Sequence, residues 1–520
     1  MNENTNISSI PAEPAGGMEN LPKELFTFLG TEEKIYDEKI KTKPIGYFMD
    51  AWLRFRKDKS AVVSFVLILG LLLFSIIVPF VSHYDVTFRD GYMKTLLPRL
   101  EILRGTGFWD GTTSQRETQA GYDYLRSIGE ESGLPAICSV KNDFVDNSGT
   151  HYYDLVVDTY AKVGYCYQNL DSSAYEALQA YQDENGIQVI YPMPATHGTN
   201  YVMGNGGANF WYTLQNTASS SSGAAVLDEA GNFIPNYLTS EDKEAAGYHS
   251  LRIAGDDGSN GWDVYAVRNQ SGYKVRILYY EYYKYLHGVY PSFIFGTNVY
   301  GQDIFCCLAA GGRLSFLLAF SIATINFLIG AIYGAIEGYY GGSVDIVMER
   351  ISDILGSVPF IVVATLFQMH LAEKAGVLLS LLFAFVLTGW IGNAARVRMQ
   401  FYRFKSHEYV LAARTLGASD ARLIFGHIFP NVLGTIITGS VLTIPGVIFS
   451  ESMLSYLHII NLETSSLTSI GTMLAGGQGT LSTFPHIILF PAIFISILEI
   501  SFNLFGNGLR DAFNPSLRGT

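Results

Sequence analysis

The stretch Glu408–Pro430, EYVLAARTLGASDARLIFGHIFP, decides how the chain is read. It lies between two long apolar segments and reads as two short helices joined at Gly417. Tyr409, Ala412, Ala413 and Leu416 recur at i, i+3, i+4 and i+7, which puts them on one helical face. Gly417 carries no Cβ and is suited to leave the helix with positive φ. Ser419 stands where the next helix needs an N-cap, and Ala421, Ile424, Phe425 and Ile428 repeat the earlier spacing. Pro430 ends that helix or opens the next segment. The small Ala412–Ala413 pair permits close approach of a second surface, as a helix needs in order to lie in a partner's groove.

Composition sets the class. The 520 residues are 48% hydrophobic, mean hydropathy is +0.20, and the apolar residues are clustered. A polytopic membrane protein with a soluble insertion is expected. A net charge of −13 argues against a nucleic-acid partner. Four cysteines give neither a disulfide framework nor zinc-ligand spacing. No apolar stretch precedes Ala61, so no cleavable signal peptide is expected.

Residues 1–43 are polar and read as a disordered cytosolic tail. Residues 44–81 hold an interfacial segment and the first transmembrane helix. Tyr47, Trp52 and Phe55 suit an interface, and Arg54, Arg56, Lys57 and Lys59 hold the N-terminus in the cytoplasm. Ala61–Val81, at about 1.5 Å per residue, is long enough to cross a hydrocarbon core of about 30 Å. Residues 82–291 contain no spanning run. They carry 25 Asp and Glu against 14 Lys and Arg, a deficit that makes up most of the chain's charge. Strand-like patches at Asp154–Tyr160 and Tyr273–Tyr280, and a Ser219–Gly223 tract, mark a mixed α/β domain. One crossing from an inside N-terminus puts this domain outside. A disulfide between Cys138 and Cys166 is permitted there, and their spacing leaves the pairing open.

Further spans are expected at Ser315–Gly338, at Ile351–Leu371 with Pro359 as a kink, and at Val377–Ile391, running on through Ala395. Two more follow at Val432–Leu454, broken at Pro445–Gly446, and at Ile487–Phe505. That makes six helices. The loop Arg396–Pro430 holds six basic residues, Arg396, Arg398, Arg403, Lys405, Arg414 and Arg422, against Glu408 and Asp420. Six spans put this loop inside, as the positive-inside rule requires, and Arg510 and Arg518 put the C-terminus there too.

The pattern Glu408-x3-Ala412-Ala413-x3-Gly417 with Pro430 resembles the EAA loop of binding-protein-dependent ABC importer permeases. In that family the loop is the coupling helix that docks on a separate ATPase. Phe429 stands where the family usually has Leu. Two further motifs narrow the resemblance to oligopeptide and dipeptide permeases of the OppC/DppC type. Phe295-Gly296-Thr297-Asn298-x2-Gly301-Gln302-Asp303 resembles FGTDxxGRD, with Asn298 and Gln302 replacing a charged Asp and Arg. Phe502–Arg518, which includes Asn503, Gly506, Arg510 and Asp511, resembles the family's C-terminal FNLLGDGLRDALDPRLR. The resemblance implies an all-α polytopic membrane protein of six transmembrane helices with the type I ABC importer permease fold. Its core is 292–520 and its coupling loop 396–430; the large extracellular α/β insertion between helices 1 and 2, residues 82–291, is the part that the resemblance does not cover.

The chain has no G-x4-G-K-[ST] loop for ATP and no nucleophile elbow, so it is read as non-catalytic and without a cofactor or metal. The resemblance assigns ATP and Mg to two partner ATPase subunits. It also implies a homologous second permease, an extracellular substrate-binding lipoprotein, a peptide substrate and membrane lipid as partners. Glu451 and Glu499 fall within spans, where an ionisable group is costly. Each is read either as lining a translocation path or as a carboxyl hydrogen-bonded to a neighbouring helix. His370, Glu373 and Lys374 fall at a membrane boundary. A nickel or other small-solute importer, and a membrane-anchored sensor that uses the insertion, remain the alternatives.

Overall fold

An apolar run in lipid must satisfy its own backbone amides, and a helix does so within one segment. The computed structural model describes residues 46–82, 84–195, 205–215, 225–238, 248–249, 264–269, 271–462 and 468–513. The tail 1–43 and the Ser219–Gly223 tract lie outside the described residues. The chain divides into residues 1–50, of which only 46–50 are described, and a larger unit of residues 51–520. Helix α1 (Tyr47–Phe55) leads into α2 (Lys59–Val81). Asp58 caps α2, accepting from the amides of Ser60 at 2.9 Å and Ala61 at 3.4 Å.

The insertion is built on two antiparallel sheets. Strand β1 (Thr112–Thr118), α3 (Gln119–Ser132), β2 (Ile137–Val145) and β3 (His151–Asp158) come first. The strands pair in the order β1-β3-β2. Alternation along β3 turns Leu155 and Val157 onto Leu125 and Ile128 of α3, leaving the other face of the sheet open. Then come β4 (Tyr165–Leu170), α4 (Ser172–Asn185), β5 (Ile190–Tyr191), β6 (Tyr248–His249), β7 (Ala266–Asn269), β8 (Gly272–Leu278) and α5 (Tyr279–His287). In this second sheet β8 pairs with β4, β5 and β7. The expected strands are present as β3 and β8, each offset toward the N-terminus. Arg276 of β8 is fully buried. It donates to both carboxylate oxygens of Glu131 on α3 and to the Ala208 carbonyl, and it stacks 3.9 Å from the Tyr165 ring centre. One ion pair thus joins the helix of the first sheet to the central strand of the second.

Cys138 and Cys166 are not paired; both thiols are free. Cys138 is exposed on β2, while Cys166 of β4 is buried in the other sheet's core, where burial pushes its thiol up to about 12.

After the insertion the chain is helical. Helix α6 (Ile304–Tyr340) is followed by α7 (Gly342–Gly356), α8 (Phe360–Ala375), α9 (Val377–Gly389) and α10 (Ile391–Phe404). Next are α11 (Glu408–Thr415), α12 (Asp420–Arg422), a π-helical turn (Leu423–Ile428), α13 (Phe429–Val441) and α14 (Thr443–Tyr456). The chain closes with α15 (Ile470–Gly477) and α16 (His486–Phe513). Among the described residues, five helical runs are long and apolar enough to cross a membrane, or six if one bent pair is a single broken span. That pair is α7 and α8, which meet at 71°. Pro359 is therefore not a kink within one helix: it disfavours helical backbone in the residue before it, so α7 stops at Gly356 and α8 begins at Phe360. The break in the later run falls at Leu442 and not at Pro445–Gly446. Pro445 sits in the first turn of α14, where its missing N–H leaves no helix bond unmade.

Replacing Glu131 by Ala leaves the Arg276 guanidinium buried and unpaired, at a cost of about 3–5 kcal/mol. Limited proteolysis of the full-length variant should cut the insertion at much lower protease concentration than the wild type, with the helical core still resistant.

Candidate coupling surface

Glycines set the distance between α6 and α10. Gly330, Gly334 and Gly338 recur every four residues on one face of α6. A Cβ at Gly330 would lie 2.8 Å from the Trp390 carbonyl, and one at Gly338 would lie 2.7 Å from Phe401 Cβ. At Gly334 it would run into the Ala394 carbonyl. The two backbones therefore lie in direct contact, as small residues allow between membrane helices.

Arg398 of α10 extends this seam to a third helix. Its Nε and Nη2 donate to Asp345 at 2.6 and 3.0 Å, and Nη1 and Nη2 donate to Glu349 at 2.8 and 3.1 Å. Both carboxylates belong to α7. Glu337 of α6 lies 3.6 Å away, and the Lys405 ammonium donates to the Gly338 carbonyl at 2.9 Å. Two-pronged Arg–carboxylate pairing fixes direction as well as distance.

The Glu408–Pro430 loop sits on this support. Val410 is fully buried with Leu423, Ile424 and Ile428, against Tyr339 of α6 and Phe401 of α10. The Tyr339 hydroxyl donates to Asp420 at 2.6 Å and receives Arg414 at 3.3 Å, which ties both halves of the loop to the last turn of α6. Gly417 adopts φ +85°, as expected. Its amide bonds to the Arg414 carbonyl and the Ala418 amide to that of Ala413, the paired bonds of a Schellman helix end. Pro430 opens α13. The outward side shows Tyr409 at 39%, Leu416 at 88% and Phe425 at 53% exposure, with Glu408 and Ala412 beside them.

Three local expectations need correction. Ala413 does not share the open face; it is partly buried against the cluster under the loop. The second helix does not present Ala421, Ile424, Phe425 and Ile428 together. Its wider π turn breaks the 3.6-residue spacing, so Ile424 and Ile428 are buried while Ala421 and Phe425 stay out. Ser419 occupies the N-cap position but makes no side-chain cap; its carbonyl takes the Leu423 amide.

The Phe295–Asp303 motif joins the insertion to the bundle. Thr297 Oγ1 donates to the Met93 carbonyl at 2.6 Å and accepts the Leu96 amide at 2.8 Å. Gly296 and Gly301 leave room for the Leu96 and Asp90 carbonyls, and Asp303 caps α6. Asn298 Nδ2 donates to Gln302 Oε1 at 2.9 Å, so a neutral amide pair occupies the positions of the family's Asp and Arg. Near the C-terminus, Gly506 accommodates Leu442 at the break before α14 and Gly508 accommodates Ala61 of α2. Asn503 bonds to the Glu499 carbonyl, while Arg510 and Asp511 are exposed.

Glu451 is fully enclosed and takes hydrogen bonds from Ser315 at 3.1 Å and Ser455 at 3.2 Å, the arrangement of a helix-bonded carboxyl. Glu499 is half-buried, and among the described residues its Oε1 has no hydrogen-bond partner. The two are not brought together. Among the described residues no group of three or more His, Cys, Asp or Glu is arranged to hold a metal. Sequence reading missed the glycine seam and the Arg398 network. The glycines were visible as a small-x3-small repeat, whereas the three carboxylates around Arg398 become neighbours only on folding.

Residues 314–519 match the family model described as binding-protein-dependent transport system inner membrane component. Residues 46–98 match the N-terminal TM domain of oligopeptide transport permease C. The oligopeptide transport system permease protein OppC of Bacillus subtilis is 42% identical over 224 residues, which is 43% of this chain and 72% of that protein. The chain belongs to the OppC/DppC permease family. This permease is also 40% identical to the dipeptide transport system permease protein DppC of B. subtilis, over 43% of this chain and 69% of that one. To OppC of Escherichia coli it is 35% identical, over 43% and 72%. It is thus a helical, multi-pass membrane permease of a binding-protein-dependent transport system. Neither family model covers residues 99–313.

A Gly334→Leu substitution should separate α6 from α10 and lower the melting temperature of the detergent-solubilised permease. Gly392→Ala, whose added Cβ would meet nothing within 4 Å, should leave it unchanged.

Proposed function

We propose that this chain is a pore-forming permease subunit of an ATP-driven importer of oligopeptides or dipeptides, itself non-catalytic. A second, homologous permease completes the pathway. Two ATPase subunits bind ATP and Mg, and an external lipoprotein delivers the peptide. The bent α7–α8 pair counts as one of six spans in a type I arrangement. Both termini and the Glu408–Pro430 loop then face the cytoplasm, and the insertion lies outside. Residues 44–81 and 292–520 form the membrane core and 82–291 the insertion; the N-terminal family segment runs past α2 to residue 98, and Met93 and Leu96 within it pack in the insertion's core.

One observation carries this reading: Tyr409, Leu416 and Phe425 are exposed on a loop whose other side is bolted to α6 and α10. Exposed aromatic and aliphatic side chains on a fixed loop are what a partner's groove buries. A loop held by Val410, Asp420 and the Schellman turn moves with the helices beneath it. ATPase closure would therefore be delivered to the pore as a rigid displacement that biases it between inward-facing and outward-facing states.

Gly417→Pro removes the amide bonded to Arg414 and cannot adopt positive φ. This substitution, and separately Ala413→Trp, should each abolish uptake of a labelled peptide by the assembled importer while membrane insertion stays intact. Normal uptake by either variant would count against coupling through this loop.

Cys138 reports on topology, because the other three cysteines are buried. A membrane-impermeant maleimide should label the native chain on intact cells and fail on Cys138→Ser. Partial desolvation of its sulfur, with Asp158 and Asp110 nearby, raises this thiol above its ordinary value of 9.0. The thiolate fraction is therefore small at neutral pH, and labelling should accelerate as pH rises through and beyond that value. Labelling only after permeabilisation would reverse the orientation.

A further inference from the structure

The open face of the β1-β3-β2 sheet is not flat. It forms the floor of a cleft of about 660 Å³, walled by the Arg104–Gly107 turn and closed at one end by Tyr280. That volume is of the size that holds small ligands. Ser114, Ser139 and Val156 project from the floor. The charges here are unevenly used. Asp110 accepts the Gly107 amide and both donors of Thr112, at 2.8 to 3.1 Å. Asp158 accepts Arg99 at 3.3 Å and the amides of Tyr160 and Ala161. Both carboxylates are already engaged within the protein. The two cations are exposed and, among the described residues, neither forms an ion pair. Lys141 donates to Ser114 Oγ at 2.7 Å, and Arg104 overlooks the cleft from its wall. Hydrogen bonds within the protein use the carboxylate oxygens, while Arg104 and Lys141 keep charged N–H donors to spare, which suit an anion; beside them lie hydroxyls that suit amide groups and an apolar strip that suits a side chain.

The wall is also connected to the membrane core. Trp109, two residues past Gly107, donates its indole N–H to the Ile294 carbonyl. Its ring lies 5.5 Å from Phe490 of α16 and 6.4 Å from Phe295 of the permease motif. A ligand held by Arg104 is thus held by a turn anchored on the helical bundle.

We infer that this cleft is a binding site for short peptides, engaged through the C-terminal carboxylate by Arg104 and Lys141. The inference rests on the proposed function for the choice of peptide, and it assigns to the insertion a capture step on the permease itself. The side chain next to the carboxylate packs toward Val156 and Tyr280, and the peptide amides meet the Ser114 and Ser139 hydroxyls. A charge-assisted bond to a carboxylate adds selectivity for free over blocked C-termini.

Cys138 lies on the floor and is the exposed cysteine, so its alkylation reads occupancy directly in the purified full-length chain. Tetra-alanine should slow maleimide modification of Cys138 in a saturable way. Its C-terminal amide, and wild-type peptide tested on Arg104→Gln/Lys141→Gln, should need about tenfold more for the same protection, the scale of one charge-assisted bond. Both substitutions are at exposed positions, and an unchanged melting temperature checks the fold. Equal protection by acid and amide, an unaltered double variant, or no protection at all would overturn the site. Protection given only by a folded substrate-binding lipoprotein would also overturn it, in favour of a docking surface. Uptake of tetra-alanine by the complete wild-type importer separates the two levels. Import without protection removes the cleft alone, and protection without import removes the transport reading while leaving a carboxylate site.

Discussion

The contact between α6 and α10 constrains the rest of the permease core. Three glycines four residues apart leave one line of α6 without side chains, and α10 fills the space. In lipid there is no hydrophobic force to bring helices together, so packing at this distance and polar bonds across it must do so. Arg398 supplies those bonds where the seam ends, drawing in α7 through Asp345 and Glu349. The loop that follows α10 inherits this rigidity. A softer joint would let an applied force bend the loop and leave the helices where they were.

The insertion shows the same logic in water. Its two sheets are small, and neither would bury much alone. Arg276 and Glu131 bring them together around a ring of tyrosines, among them Tyr165 and Tyr237. Thr297 and the Met93–Leu96 turn then fix the domain to the start of α6. The turn that walls the cleft and the tryptophan that touches the bundle belong to one short segment, so the domain is a continuation of the core more than a tethered accessory.

Much of this was legible beforehand because it is periodic or local. Apolar runs marked where the helices lie, though α6 begins eleven residues before its expected span and α16 ends eight residues beyond its own, and Gly417 showed its turn by having no side chain. The neutral pair at Asn298 and Gln302 was visible as two missing charges, though not as a mutual hydrogen bond. What could not be read depends on distance in the chain. Arg398 and Asp345 are far apart in sequence, and nothing local marks them as partners. The π turn at Leu423–Ile428 defeated the spacing argument because one extra residue rotates everything beyond it. Cys138 and Cys166 belong to different sheets, and strand order cannot be inferred from two cysteines.

The Asn298–Gln302 bond lies at the joint between the insertion and the first helix of the core. An Asp and an Arg at these two positions would attract as opposite charges, which dissolved ions weaken and strong acid abolishes. Two amides have no charge to screen and no proton to exchange in the biological range. This one bond is therefore indifferent to brine and to acidity, while the Asp303 carboxylate that caps α6 beside it is not.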